Sequence, residues 1–259
     1  MNNIVFYFSG TGNSLKAAKT VAQELGNAEV TCMAKPDGYS LSKQYDTIGF
    51  VYPTYFWGLP KAVVEFIKKV KLGENKKTYF YAIATCGGFA ANALYQLSEL
   101  LLEKQEVMLN YGKALRMAPN YVIEYEMFKN AEKINKKALE KLVLVINSIK
   151  RKKGNRIKKF ASIFKPINKK FLDNVSTMDK NYTINDECNG CGICKEVCPV
   201  KNIQMVNNRP EYNHNCENCL ACLQYCPKKA INYSNKTQNR KRYTNPGISH
   251  RELAESNSR

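Results

Sequence analysis

The chain has 259 residues and ten cysteines, and its 40 basic against 22 acidic side chains give a formal charge of +18. That length suits one large domain and one small one, and a 44% hydrophobic content supports a packed core. No apolar run approaches the roughly 18 residues of a membrane span, and the apolar N-terminal stretch is too short for a signal peptide and lacks its basic flank. A cytoplasmic protein is therefore expected, in which cysteines at this density mean metal or redox chemistry, not a disulfide framework.

The first strand is Ile4-Val5-Phe6-Tyr7-Phe8, an unbroken apolar run of the kind buried on both faces of a parallel sheet. It runs into Ser9-Gly10-Thr11-Gly12-Asn13-Ser14 and then a helix with Leu15, Ala18, Ala22 and Leu25 on one face. Residues 29–33 and 47–52 read as the second and third strands, followed by the loop Pro53-Thr54-Tyr55-Phe56-Trp57-Gly58-Leu59-Pro60 and a helix over 61–70. A fourth strand over 78–84 leads to Thr85-Cys86-Gly87-Gly88-Phe89 and a helix over 89–104. A fifth strand is expected over 107–117, interrupted at Gly112, and an amphipathic helix over 130–153. Strands alternating with helices predict an α/β domain with a doubly wound, parallel five-stranded sheet over residues 1–153.

Residues 154–178 are rich in Lys and Arg and read as a basic linker. Residues 236–259 are rich in Asn, Ser, Lys and Arg with little apolar content, and disorder is expected there. Between them, residues 179–235 hold an internal repeat. Cys188, Cys191, Cys194, Cys198 and Pro199 recur 28 residues later as Cys216, Cys219, Cys222, Cys226 and Pro227. Zinc is the alternative metal for paired cysteines, but zinc sites generally use two C-x-x-C pairs with a longer spacer.

Each half of the repeat, C-x-x-C-x-x-C-x-x-x-C-P, resembles the bacterial two-cluster ferredoxins. That resemblance implies a small α+β domain with two [4Fe–4S] clusters. One would be held by Cys188, Cys191, Cys194 and Cys226, the other by Cys216, Cys219, Cys222 and Cys198. Residues 1–150 resemble the flavodoxins through three loops at the carboxyl ends of strands one, three and four, where open α/β sheets bind ligands. The resemblance implies FMN. Its phosphate would lie on Ser9, Gly10, Thr11, Gly12, Asn13 and Ser14, a glycine-rich turn of neutral donors at a helix N-terminus that matches neither the P-loop nor the G-x-G-x-x-G pattern. Its ring would lie against Pro53, Thr54, Tyr55, Phe56, Trp57 and Gly58, with Tyr55 and Trp57 favoured over Phe56, and against Thr85, Cys86, Gly87, Gly88 and Phe89. Cys86 reads as a small spacer and not a nucleophile, because no His or acid stands near it in sequence, and Cys32 as a core residue. His214 reads as a solvated loop residue, with cluster tuning as the alternative. Neutral loops in a basic chain predict a flavin less strongly reducing than that of a typical flavodoxin.

Together the two resemblances match flavodoxin–ferredoxin fusion proteins, the group called EFR-type ferredoxins. They imply a carrier that passes single electrons between two [4Fe–4S] clusters and FMN and on to redox partner proteins, acidic ones by charge, in an anaerobic host. The loops show no acid or base that would tailor a substrate, which favours a carrier over an FMN-dependent oxidoreductase reducing a quinone or nitro compound. A zinc-binding interaction module without redox chemistry is the third reading. The charge also suits an anionic membrane surface or nonspecific nucleic-acid contact, but no recognition fold accompanies it and nucleic acid is not the expected partner.

Overall fold

The computed structural model describes residues 2–35, 37–127, 129–160 and 164–258. Strands β1 (Asn3–Tyr7), β2 (Glu29–Cys32), β3 (Thr47–Pro53), β4 (Tyr79–Cys86) and β5 (Tyr111–Arg116) form one parallel sheet in the order β2-β1-β3-β4-β5. Every residue of β1 is buried, as its apolar run requires. Helices α1 (Asn13–Glu24) and α4 (Ala131–Lys150) cover one face, where Leu15, Val21, Leu142 and Ile146 share a core with Val5, Val51 and Ile83. Helices α2 (Lys61–Lys69) and α3 (Ala93–Gln105) cover the other, packing Val63, Phe66, Leu97 and Leu101 on Phe6, Phe50 and Phe80. Strand order reverses between β1 and β3, and the loops leaving those strands splay apart to open a crevice.

The fifth strand begins later than its apolar pattern suggests. Val107 and Leu109 are buried in the core, but the Asn110 side chain accepts the Phe80 N–H at 2.7 Å and takes a ladder position, so regular pairing starts at Tyr111. Gly112 lies within the strand, where a Cβ would meet Ile157 Cδ1 at 2.6 Å.

The linker segment carries structure of its own. Helix α5 (Phe164–Asn174) is followed by a 3-10 stretch (Val175–Asn181), while residues 161–163 of this segment lie outside the described residues. Phe171 of α5 is buried and stacks on Phe56 at 4.6 Å between ring centroids.

The cysteine-rich domain repeats a strand–helix–strand unit. Strand β6 (Tyr182–Ile184), helix α6 (Ile193–Glu196) and β7 (Ile203–Val206) are followed by β8 (Arg209–Tyr212), α7 (Ala221–Gln224) and β9 (Ile231–Tyr233). The pairs β6–β9 and β7–β8 are antiparallel, so each half of the repeat donates a strand to the other.

The C-terminal segment carries regular structure where composition suggests disorder. Its large apolar side chains, Tyr243, Ile248 and Leu253, are buried, and it ends in α8 (His250–Ser258). Two of its asparagines find partners in the α/β domain: the Asn245 N–H donates to Thr11 O at 2.8 Å, and Tyr7 Oη donates to Asn257 Oδ1 at 3.1 Å. Composition underestimated this segment because its anchoring is polar and long-range. Among the described residues no helix is long and apolar enough to cross a membrane.

Candidate functional site

The crevice at the switch point is a cavity of about 350 Å³, within the roughly 300–1,000 Å³ range of ligand pockets. Its floor is the β1–α1 turn, where Ser9, Gly10, Thr11, Asn13 and Ser14 line the wall. The Gly12 N–H donates to Ser9 Oγ at 3.2 Å, and Ser14 Oγ lies 2.8 Å from Thr85 Oγ1, so the turn is pinned to the β4 loop. Gly12 has φ 94, and α1 has no side-chain cap at its N-terminus. The first-turn amides therefore have no intrahelical acceptor and carry the positive end of the helix dipole.

Gly12 lies off the cavity wall, because the C-terminal segment packs behind it. A Cβ there would stand 3.0 Å from both Asn245 Cβ and Ile248 Cβ. Asn13 is held by the same segment. Its Oδ1 accepts from Tyr243 Oη at 2.7 Å and Asn245 Nδ2 at 2.9 Å, and its Nδ2 donates to Ala118 O at 3.1 Å.

Pro53, Thr54, Tyr55, Phe56 and Trp57 line one side of the cavity. Tyr55 and Gly58 exchange both backbone hydrogen bonds at 3.0 Å, closing a two-residue turn in which Phe56 and Trp57 take positive φ values of 46 and 62. Bulky residues adopt this conformation only when their surroundings hold them. Here Phe171 holds Phe56, and Phe164 holds Trp57 at 5.7 Å between ring centroids. Gly58 lies off the wall and admits Asn168 of α5, whose Nδ2 donates to Tyr55 O at 3.0 Å. Thr54 Oγ1 is buried without a partner.

Thr85, Cys86, Gly87 and Phe89 close the other side, with Gly88 off the wall. Burial pushes the Cys86 thiol up to about 11 against the pull of Arg116, so it is a protonated, weakly nucleophilic wall residue. First-turn amides without a side-chain cap, an unpaired threonine hydroxyl and aromatic side chains in the wall fit a planar, phosphate-bearing, hydrogen-bonding ligand such as FMN.

The cysteine repeat folds around two further cavities. Cys188, Cys191, Cys194 and Cys226 line one, and Cys198, Cys216, Cys219 and Cys222 the other. In each, the fourth cysteine comes from the opposite half of the repeat. Among the described residues no three His, Cys, Asp or Glu side chains converge as they would on a single metal ion. The four cysteines that line each cavity are themselves a donor set that would suit an iron–sulfur cluster. Burial pushes the Cys216 thiol up to about 12 and Cys194 up to about 11, and Cys219 and Cys222 well above the usual thiol range. Metal binding must therefore expel protons from these cysteines. Cys191 is the exposed member.

The family model for flavodoxin domains matches residues 4–136, just over half of the 259 residues. The chain belongs to the flavodoxin domain family. A 4Fe-4S dicluster domain matches residues 180–227, so the chain is a flavodoxin–ferredoxin fusion and a flavin and iron–sulfur redox protein. Comparison with curated proteins returns no match. Among solved structures, a candidate flavoprotein from Bacteroides uniformis is 20% identical, with 52% of this chain and 96% of that one covered at a TM-score of 0.38. A Lactobacillus acidophilus flavoprotein in complex with FMN is 11% identical, covering 44% and 92% at 0.34. A Streptococcus pneumoniae flavodoxin is 15% identical, covering 56% and 98% at 0.33. Similarity at this level carries no argument about activity.

Sequence reasoning missed what joins the flavodoxin and ferredoxin domains. Cys219 lines the crevice cavity and a cysteine cavity at once. Gly10 of the β1–α1 turn lies directly on it, since a Cβ at Gly10 would come within 2.3 Å of Cys219 O. Its neighbour Asn218 lines the crevice, donates from Nδ2 to Tyr121 Oη at 3.1 Å, accepts from Tyr182 Oη at 3.3 Å, and donates its N–H to Cys216 Sγ at 3.1 Å. The repeat held a signal for this. The equivalent position in the first half is Gly190, and both positions have positive φ, 70 and 47. An asparagine kept where glycine fits more easily points to work for its side chain.

Glu217, between these residues, is buried, and burial pushes its carboxyl up to about 7 despite the Ala62 and Lys61 amides at the start of α2. The crevice also gains Tyr121, Glu124 and Tyr125 from the loop after β5. Its lining is thus less neutral than the three loops alone suggest. His214 is half exposed, with Nδ1 2.7 Å from Oδ1 of buried Asp179.

Proposed function

We propose that the protein is an electron carrier in which FMN occupies the crevice and a [4Fe–4S] cluster occupies each cysteine cavity. The observation that carries this reading is the shared wall: Cys219 faces both the crevice and one cysteine cavity, with Gly10 against it. Bound FMN would exchange one or two electrons and each cluster one.

These contacts support one order for the wire. The cluster on Cys198, Cys216, Cys219 and Cys222 is proximal to the flavin. The cluster on Cys188, Cys191, Cys194 and Cys226 is distal, and exposed Cys191 marks its edge as the port for a redox partner. Basic residues over 150–170 suit an acidic partner protein. The chain's own residues hold the groups, exclude water from the proximal cluster, and fix the gap between flavin and cluster through Gly10, Asn218 and Cys219.

The test is anaerobic purification with iron, sulfide, zinc and flavin measured on one sample. About eight irons, eight sulfides and one FMN per chain are expected from two clusters of the ferredoxin type. Zinc in place of iron, or no flavin, refutes the reading. Reduction of the clusters should then be followed by reduction of the flavin within the same molecule, at a rate independent of protein concentration.

A further inference from the structure

Arg242 lies in the C-terminal segment, where composition predicted disorder. Its Nη2 donates to Ile231 O at 3.0 Å and to Asn232 Oδ1 at 2.8 Å. Its Nε and Nη1 are buried and have no partner. Among the described residues its hydrogen bonds go to neutral acceptors and no carboxylate forms an ion pair with it. A guanidinium presents five N–H donors and is not deprotonated in proteins. Buried donors of this kind are retained in a native fold when something absent from the protein atoms accepts their hydrogens.

The position indicates what that acceptor is. Ile231, whose carbonyl fixes the guanidinium, lines the cavity of the distal cysteine set. Burial holds the Arg242 guanidinium below its ordinary range, while Cys226 and then Cys222, one cysteine from each set, pull it back up. A fixed cation at the wall of the distal set, with N–H groups that have no protein partner, is suited to sulfur ligands and cluster sulfide.

We propose that Arg242 raises the reduction potential of the iron–sulfur clusters, chiefly the distal one, by placing a permanent charge and unpaired N–H donors beside their ligands. This rests on reading the two cysteine sets as [4Fe–4S] sites. A cluster that accepts one electron gains one negative charge, so a nearby cation and hydrogen bonds to sulfur stabilise the reduced form more than the oxidised one. The consequence for a carrier is directional. The electron is held preferentially at the distal cluster, the end with an exposed ligand cysteine.

The experiment is a reductive titration of the anaerobic holoprotein with dithionite as the electron source, followed by electron paramagnetic resonance and visible absorbance. Wild type is compared with Arg242→Gln and Arg242→Lys. Arg242→Gln should shift the reduction equilibrium of the distal cluster at least tenfold toward the oxidised form, a drop of 59 mV for one electron. Arg242→Lys retains the charge and should shift it less. Unchanged potentials in Arg242→Gln, at full iron and sulfide content, overturn the proposal. Loss of iron from both variants assigns Arg242 to cluster retention and overturns it equally. Failure of the underlying reading is separate, because wild type would then lack iron and sulfide before any variant is made.

Discussion

Gly10→Ala tests whether the flavodoxin and ferredoxin domains are joined through a backbone contact at the flavin turn. A methyl group there would stand 2.3 Å from Cys219 O, 2.9 Å from Cys219 Cβ and 3.0 Å from Cys219 C. Two of these atoms are main chain, so no rotamer change relieves the overlap. The Cys219 loop must retreat by about 1 Å to regain van der Waals contact. That loop carries one ligand of the proximal cluster site and part of the crevice wall, and overpacking of a fixed contact costs about 1–3 kcal/mol. For a chain of this size the loss is roughly 2–12 °C of melting temperature. Gly88→Ala is the matched control. It follows β4 in the neighbouring loop but lies off the crevice wall, has no positive φ, and a Cβ there meets nothing within 4 Å. Its effect should stay within about 0.5 kcal/mol. Thermal unfolding of both holoproteins, with flavin and iron measured on each, decides the matter. Gly10→Ala should lower stability and retain less FMN, or transfer electrons from cluster to flavin more slowly at equal FMN content. If it matches Gly88→Ala in stability, flavin occupancy and transfer rate, the inferred contact between the domains is wrong.

Asn218→Gly keeps the positive φ but removes the side-chain bridge to Tyr121 and Tyr182. Unfolding should show a loss of about 1–3 kcal/mol for two hydrogen bonds, one buried and one partly buried, and stopped-flow absorbance should show slower cluster-to-flavin transfer at full cofactor content. Tyr243→Phe removes the hydroxyl that donates to Asn13 Oδ1 and accepts from Asn135 Nδ2. It should cost roughly 1–3 kcal/mol and weaken FMN retention in an equilibrium dialysis assay. Leu253→Ala empties a fully buried position of α8. It should cost about 2–5 kcal/mol by urea unfolding, whereas a disordered tail would give no change.

The parallel sheet was legible because a strand buried on both faces must be apolar throughout, and residues 4–8 and 47–52 say so plainly. The cysteine sets were legible because ligand spacing is itself the signal. What was not legible is held by long-range polar contacts. Asn168 reads as one more linker residue, yet its amide fixes the aromatic turn of the crevice by donating to Tyr55 O and Leu59 O. Asn245 and Asn257 read as markers of disorder, yet each is buried and bonded to a residue more than 200 positions earlier. Asparagine ranks low in burial statistics because most copies are solvated. Sequence pattern cannot identify the few whose partners are brought close by the fold.

The same contacts argue that fusion of the two domains is more than tethering. A flexible linker would raise the local concentration of a ferredoxin near a flavodoxin but leave its orientation free. Here α5 closes over the aromatic turn, the Cys219 loop lies on the flavin turn, and the C-terminal segment returns across the chain to hold Asn13. Glu217 adds a further lock by reaching the start of α2. Its cost depends on pH with a definite sign. The folded carboxyl holds its proton up to about pH 7, against 4.5 for an unperturbed one, so the folded state binds more protons between those values. Stability should therefore fall as pH rises through that window, by up to about 3 kcal/mol from this group. Glu217→Gln should flatten the decline and be relatively more stable above it. A wild-type unfolding free energy that rises across that interval, with Glu217→Gln parallel to it, would show that the carboxyl is ionised in the folded protein and that the helix start neutralises it fully.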